Sequence, residues 1–343
     1  MPAFHNLVIE ETYNQKSWVI LPHHPTIGEY SKSNTCSFPN PMLHAGTLFI
    51  RPENSYIQEV FPSDRKTAFV VNTTAYRSVS RGFTIALMDD AMSDSEVVEK
   101  ASSILKLSEP ALMRIHLQNT GAMGTEVALF SEGKSYQHQI FADSSPYVDA
   151  VRRADSLLGV FIEYLKEEDL WEGTVLIVTS DHGQSDVGWH PLLDENSWIT
   201  PLVFAGEGIA RGRRLPYFEH IDLAPTICSL FHLDPPNQGG GAGKAVTSIL
   251  ESGSISNDGK KEYVKTINRQ IKEYHILKSQ LILRAEKRRP LSNTFAALEN
   301  ENLTPEPFYH ENRIMEWHQA KTIEQMIEAN EQILLELSEA LND

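Results

Sequence analysis

From about residue 45 to residue 235, short apolar runs alternate with stretches whose apolar residues recur every three or four positions. This alternation constrains the fold more than any other feature. Strands separated by amphipathic helices pair mostly parallel and are covered by helices on both faces. Thr67 to Val71, Thr84 to Met88, Ala111 to Leu117, Val175 to Val178 and Pro201 to Phe204 read as strands. Glu96 to Leu107 reads as a helix, as does the segment carrying Val148, Val151, Leu158, Phe161, Ile162 and Leu165 on one face. The expected fold class is α/β, a three-layer sandwich with a mostly parallel central sheet. After residue 252 the chain turns polar and helical, which predicts a main domain over 1–252 and a helical extension over 253–343. Ile323, Met326, Ile327, Leu334, Leu337 and Leu341 form an apolar stripe on the last helix. The stripe is expected to pack back onto the main domain, with a homo-oligomer contact as the alternative.

Composition narrows the partners. A net charge of −16 over 343 residues leaves no basic surplus for nucleic acid or an anionic membrane. The two cysteines, Cys36 and Cys228, form no C-x-x-C pair, so neither a cysteine-rich zinc module nor a disulfide framework is expected. No apolar run approaches the ~20 residues of a membrane span. The start Met1-Pro2-Ala3-Phe4-His5-Asn6 lacks the basic and apolar regions of a signal peptide, and a cytoplasmic location is the expectation.

The chemistry concentrates where the most apolar strand ends. Thr179-Ser180-Asp181-His182-Gly183 follows Val175 to Val178, and His190 stands in Gly188-Trp189-His190-Pro191. Ligands of open α/β sheets sit at the carboxyl ends of strands. A carboxylate and imidazoles there suit Zn²⁺ and neighbouring divalent metals. Asp181, His182 and His190 are therefore candidate metal ligands, and Asn119, after the strand Ala111 to Leu117, is a fourth. His220 is a competitor, but it reads better as a peripheral residue at a helix entry, with Asp222 as the cap. Gln238 to Gly243 lacks the Gly-Lys-Ser/Thr ending of a phosphate loop and reads as a surface loop. Ser37, in Thr35-Cys36-Ser37-Phe38-Pro39-Asn40-Pro41, offers a hydroxyl in a proline-stiffened loop.

Taken together, Ser37-Phe38-Pro39-Asn40, Asp181-His182-Gly183 and His190 ahead of a Pro-x-x-Phe strand resemble the alkaline phosphatase superfamily, in particular its nucleotide pyrophosphatase/phosphodiesterase-like and sulfatase-like hydrolases. Ser145-Pro146-Tyr147 and the His220 to Thr226 segment are similar to it as well. The resemblance covers roughly residues 1 to 237. It implies a hydrolase of small-molecule phosphate or sulfate esters with Ser37 as nucleophile, Asn40 holding a non-bridging oxygen, and one or two divalent ions, Zn²⁺ first and Mn²⁺ second. The sulfatase-type nucleophile motif places an Arg where this chain has Pro41, so phosphate ranks above sulfate. Two departures stand out. The family's first strand, ending in a metal-binding Asp, has no counterpart before Pro2. Gly121 and Thr125 stand where the family has a metal-binding Asp and His. A catalytically impaired relative acting as a binding or scaffold protein is the rival reading.

Overall fold

The computed structural model describes residues 2–19, 30, 33–36, 55–191, 193–237, 243–255, 262–285 and 323–342. Helix α1 (Pro2–Glu10) leads into strand β1 (Thr12–Trp18). There follow β2 (Thr67–Val71), β3 (Ile85–Met88), α2 (Asp94–Ser108) and β4 (Leu112–His116). Next come α3 (Asn119–Phe130), α4 (Pro146–Glu167), β5 (Val175–Thr179) and β6 (Ile199–Gly206). Helix α5 (Leu223–Leu230) closes this part, and α6 (Tyr263–Ala285) and α7 (Ile323–Asn342) form the helical C-terminal region.

The strand and helix patterns read from the sequence correspond to these elements. The apolar strand β2 is buried along its whole length and pairs parallel with β3 on one side and β4 on the other, Phe69 lying opposite Ala86 and Arg114. Helix α2 starts on a reciprocal cap. Ser93 Oγ accepts from the Glu96 N–H, and the Glu96 carboxylate accepts from the Ser93 N–H at 2.7 Å. Helix α4 starts with Ser145 as cap and Pro146 in its first turn. The apolar faces of the two helices (Val97, Val98 and Ala101; Phe161 and Leu165) pack against Val70 of β2, with Met113 and Ile115 of β4 and Leu176 of β5 at the margin of the same cluster.

Strand β5 departs from a purely parallel scheme. In the described residues it belongs to a second sheet, ordered β1-β6-β5, in which both pairings are antiparallel. The physical reason lies in the connection: among the described residues between β5 and β6 the chain makes one short helical turn, Glu195–Ser197, and no crossover helix. Helices α2 and α4 pack on residues of both sheets, Val70 and Met113 of the parallel one and Leu176 of the antiparallel one. Every residue of β4 is only half-buried, and so are the four apolar residues Val175 to Val178 of β5. Among the described residues each of these two strands is paired along one edge only.

The C-terminal helices pack on each other and on the main part of the chain. Val264, Ile267, Ile271, Tyr274 and Leu281 of α6 meet Met326, Leu334, Leu337 and Leu341 of α7, and the same core takes in Val19, Trp198 and Ile221. Asn268 Nδ2 also donates to the Val19 carbonyl at 2.8 Å. The apolar stripe is thus covered within the chain. Residues 238–242 of the glycine-rich run lie outside the described residues. No described helix is long and apolar enough to cross a membrane.

Candidate metal centre at the strand ends

Beyond Thr179 the chain must turn sharply to reach β6, and Gly183 makes the turn possible. A Cβ at this position would lie 1.8 Å from the Asn196 carbonyl oxygen and 2.6 Å from that of Ile199. The Gly183 N–H donates to the Ser197 carbonyl at 3.2 Å. Its own carbonyl, 2.8 Å from His182 Nδ1, accepts from that ring nitrogen. Its Nε2 then lies on the other side of the ring, 3.4 Å from Asp181 Oδ2. A backbone acceptor that fixes the far side of an imidazole is the usual support of a metal-binding histidine.

His190 is brought to the same place. Its ring centroid lies 4.2 Å from that of His182, and on its other side Trp189 stacks on it at 4.2 Å and 24°. The turn carrying it is pinned to α3. Trp189 N–H donates to the Gly124 carbonyl at 3.3 Å, Ser185 N–H to the Trp189 carbonyl at 3.0 Å, and Ser185 Oγ to the Gly188 carbonyl at 2.6 Å. Trp189 itself is held in the left-handed region at φ 64°.

Asp181, His182 and His190 are thus neighbours. Among the described residues, however, no group of three or more His, Cys, Asp or Glu side chains is arranged to hold a metal ion. Asp181 and His182 have the donor chemistry for two positions of a divalent ion, and a full shell needs further ligands. Ser37 and Asn40 lie outside the described residues. Asn119 opens α3, and its N–H donates to Asp94 Oδ1 at 3.2 Å. Gly121 and Thr125 are interior to that helix, where the Thr125 hydroxyl donates to the Gly121 carbonyl at 3.2 Å.

A second polar network lies alongside, which the sequence reading did not single out. His116, at the end of β4, is bonded through Nδ1 to the Tyr30 hydroxyl and through Nε2 to Gln118 Oε1 at 2.9 Å. Tyr30 stacks on Tyr76 at 5.0 Å, Tyr76 meets the His116 ring at 4.7 Å, and the Arg114 guanidinium lies 4.2 Å over the Tyr30 ring. The network continues through the Gln118 N–H to Asn72 Oδ1 at 3.0 Å and from Asn72 Nδ2 to Asp94 Oδ1 at 2.8 Å. The available signal was the pair Arg114 and His116, the charged and polar members of the otherwise apolar strand Leu112–His116.

Electrostatics couple the two networks. Burial pushes the His116 pKa down, and the Asp181 charge partly opposes it. Burial alone would raise the Asp181 carboxyl. The positive character of His182 and His116, with backbone N–H groups, outweighs that cost and leaves the pKa below the usual carboxylate value. Asp181 is therefore ionised at neutral pH. Burial also raises the phenol pKa values of Tyr30 and Tyr76, with Asp181 adding to the shift.

His220 is not the peripheral residue expected from the sequence. It is buried, with Nε2 at 2.7 Å from Thr200 Oγ1 and 3.4 Å from Thr179 Oγ1, so it braces the two strands behind the Asp181 turn. Asp222 does not cap α5 through its side chain; its Oδ1 accepts from the Lys244 N–H at 2.8 Å.

The family profile described as Sulfatase matches residues 26–233, more than half of the chain. The chain belongs to the sulfatase family. Members of the superfamily hydrolyse sulfate and phosphate esters and use divalent metals. A curated relative, the multifunctional alkaline phosphatase superfamily protein PehA of Trinickia caryophylli, is 35% identical over 115 residues, which make up 31% of this chain and 21% of that protein. The matched stretch thus spans about a fifth of that relative. An alkaline phosphatase superfamily protein from Vibrio parahaemolyticus superposes with a TM-score of 0.53 at 16% identity, over 72% of this chain and 63% of the other. The phosphonate monoester hydrolase of Silicibacter pomeroyi gives 0.51 at 13% identity, over 75% and 72%. A protein solved with its substrate D-glucosamine-2-N,6-O-disulfate gives 0.53 at 12% identity, over 75% and 76%. These three likenesses establish the alkaline phosphatase-like fold.

Proposed function

We propose that the chain is a divalent-metal-dependent hydrolase of phosphate or sulfate esters, with Asp181 and His182 holding the ion. The observation that carries this reading is the pre-set pair: His182 fixed through Nδ1, with Nε2 3.4 Å from the carboxylate of Asp181. A bound Zn²⁺ or Mn²⁺ would supply Lewis acidity toward the ester's non-bridging oxygens and toward a hydroxyl nucleophile. Asp181, ionised at neutral pH, contributes the negative charge that retains a cation. His182, oriented through Nδ1, presents Nε2 on the side of Asp181. His190 and Asn119 are the further ligands of this proposal, Ser37 is its nucleophile, and Asn40 steadies a non-bridging oxygen.

Phosphate ranks first because Ser37-Phe38-Pro39-Asn40-Pro41 lacks the Arg of sulfatase-type nucleophile motifs. The sulfate reading is supported by the family profile. Turnover of aryl phosphate, phosphodiester and sulfate esters with added Zn²⁺ or Mn²⁺ tests the proposal. Rates no higher than those of Asp181→Asn and Ser37→Ala variants would refute it. The rival reading, a binding or scaffold relative, is supported by Gly121 and Thr125, which supply no charged ligand. One or two tightly held ions per purified chain favour the enzyme, and none favours the scaffold.

A further inference from the structure

Helix α6 is tied to the turn before β6 by residues of one face. Asn268 and Lys272 stand four positions apart and so lie on the same side of the helix. The fully buried Asn268 side chain donates to the Val19 carbonyl at 2.8 Å, and the Val19 N–H donates to the Trp198 carbonyl at 2.8 Å. Lys272 Nζ donates to Glu195 Oε1 at 3.1 Å and lies 5.8 Å from the centre of the Trp198 ring. Trp198 is among the largest fully buried side chains and belongs to the core shared by α6 and α7. The first turn of α6 is fixed as well. Glu219 Oε1 accepts from the Val264 N–H at 3.1 Å and from the Tyr217 hydroxyl at 2.6 Å. A helix held at its start and along one face cannot slide over the segment it covers.

That segment is the back of the metal centre. The Trp198 N–H donates to the Glu195 carbonyl at 3.0 Å, and the Ser197 N–H to the Asp194 carbonyl at 2.9 Å. Asp194 Oδ1 accepts from the Asn196 N–H at 2.9 Å, so residues 194–198 form one closed turn. The Asn196 and Ser197 carbonyls of this turn face Gly183, the first at the position a Cβ would need and the second as acceptor of the Gly183 N–H. The Gly183 carbonyl in turn meets His182 Nδ1 at 2.8 Å. Three steps therefore lead from α6 to the imidazole: Trp198, the closed turn and the glycine. None has free space in which to absorb a shift, because at Gly183 even one added carbon has no room.

We infer that Trp198 and Lys272 are positioning residues of the metal centre. Seated on α6, they fix the height of the 194–198 turn and, through Gly183, the direction of the His182 ring. This rests on the proposed function, which takes His182 as a ligand. The C-terminal helices then act on the centre without supplying a ligand to it.

The His182 ring reports on this without turnover. Full chains with ¹⁵N-labelled histidine, free of metal, give its ring resonances by NMR, identified by their loss in His182→Ala. Calorimetry gives the Zn²⁺ affinity of the same proteins. Trp198→Phe keeps an aromatic filling but gives up the width of the indole. It is expected to shift the His182 ring resonances and to weaken Zn²⁺ binding about tenfold. Lys272→Ala, at a partly exposed position, should shift the same resonances and weaken Zn²⁺ binding about threefold. Lys272→Arg, which bonds a carboxylate and stacks on an indole, should restore both. Lys265→Ala is the control. Lys265 stands on the same helix but lies over Trp18 and beside Glu262, and its loss should change neither quantity. Native ring resonances and native Zn²⁺ affinity in Trp198→Phe and Lys272→Ala, whatever the fall in Tm, would overturn the inference. So would an equal effect of Lys265→Ala. If the native chain binds no Zn²⁺, the proposed function fails and the ring resonances alone decide the positioning role. If Zn²⁺ is held and esters are turned over while both substitutions leave the ring unmoved, the positioning role alone fails.

Discussion

Replacing Gly183 with Ala probes the turn on which the whole centre depends. The added methyl would sit 1.8 Å from the Asn196 carbonyl oxygen, where ordinary contact begins at 3.4 Å, a deficit of about 1.6 Å. The obstacle is backbone, so no side-chain rotation relieves it. The chain entering β6, or the turn itself, has to move. Two bonds converge on this residue, the Gly183 N–H to Ser197 and the His182 Nδ1–H to the Gly183 carbonyl, and both are displaced with it. Overpacking of a tight core costs about 1–3 kcal/mol, and a backbone-to-backbone clash belongs at the upper end. A loss of about 3 kcal/mol corresponds to a Tm fall of about 6 °C or more for a domain of this size. Thermal unfolding followed by circular dichroism measures the first effect, and calorimetric Zn²⁺ titration measures the second. A Gly183→Ala protein with unchanged Tm and unchanged Zn²⁺ affinity would show that neither the close approach nor the His182 orientation matters.

The remaining expectations concern the ligand pair, acid sensitivity and the helical region. His182→Ala should weaken Zn²⁺ binding by at least about tenfold in calorimetry, with little change in far-ultraviolet circular dichroism. For His116 the sign follows from burial. Its folded pKa lies below the ordinary 6.5, so the unfolded chain takes up the proton first, and stability that is full above pH 6.5 declines as the pH drops below it toward the folded value. Urea unfolding at stepped pH should show that decline, and His116→Gln should flatten it. Leu337→Ala, at a fully buried position between α6 and α7, should cost about 2–5 kcal/mol in urea unfolding, whereas an unaffected midpoint would mean that the C-terminal pair adds nothing to the main core.

The layers, and the sharp turn after β5, were legible in the sequence for definite reasons. Val175 to Val178 could be recognised because its residues are apolar on both faces, and Asp181-His182-Gly183 because their order matches what a strand end must do to present two donors and then turn. The antiparallel pairing of β5 was hidden, since pairing direction depends on whether the following segment crosses over, and residues 180–198 look like any loop of that length. His116 was hidden by a different mechanism. Beyond its near neighbour Gln118, its partners Tyr30 and Tyr76 come from two distant segments, and no spacing rule connects them to it. His220 misled because its sequence neighbours describe a helix entry correctly, while its bond to Thr200 is a tertiary fact. Ser37 and Asn40 remain proposals from motif alone.

The half-covered strands β4 and β5 are joined through side chains: Met113 and Ile115 of the one and Leu176 of the other meet in a single apolar cluster with Phe161 and Leu165 of α4. Leu112–His116 and Val175–Thr179 present rows of amide and carbonyl groups on flanks that carry no ladder among the described residues, beside apolar side chains that are only half-buried. Helix α4 thus acts as a clamp that ties the parallel sheet to the antiparallel one, so loosening the Phe161–Leu165 face would loosen both at once.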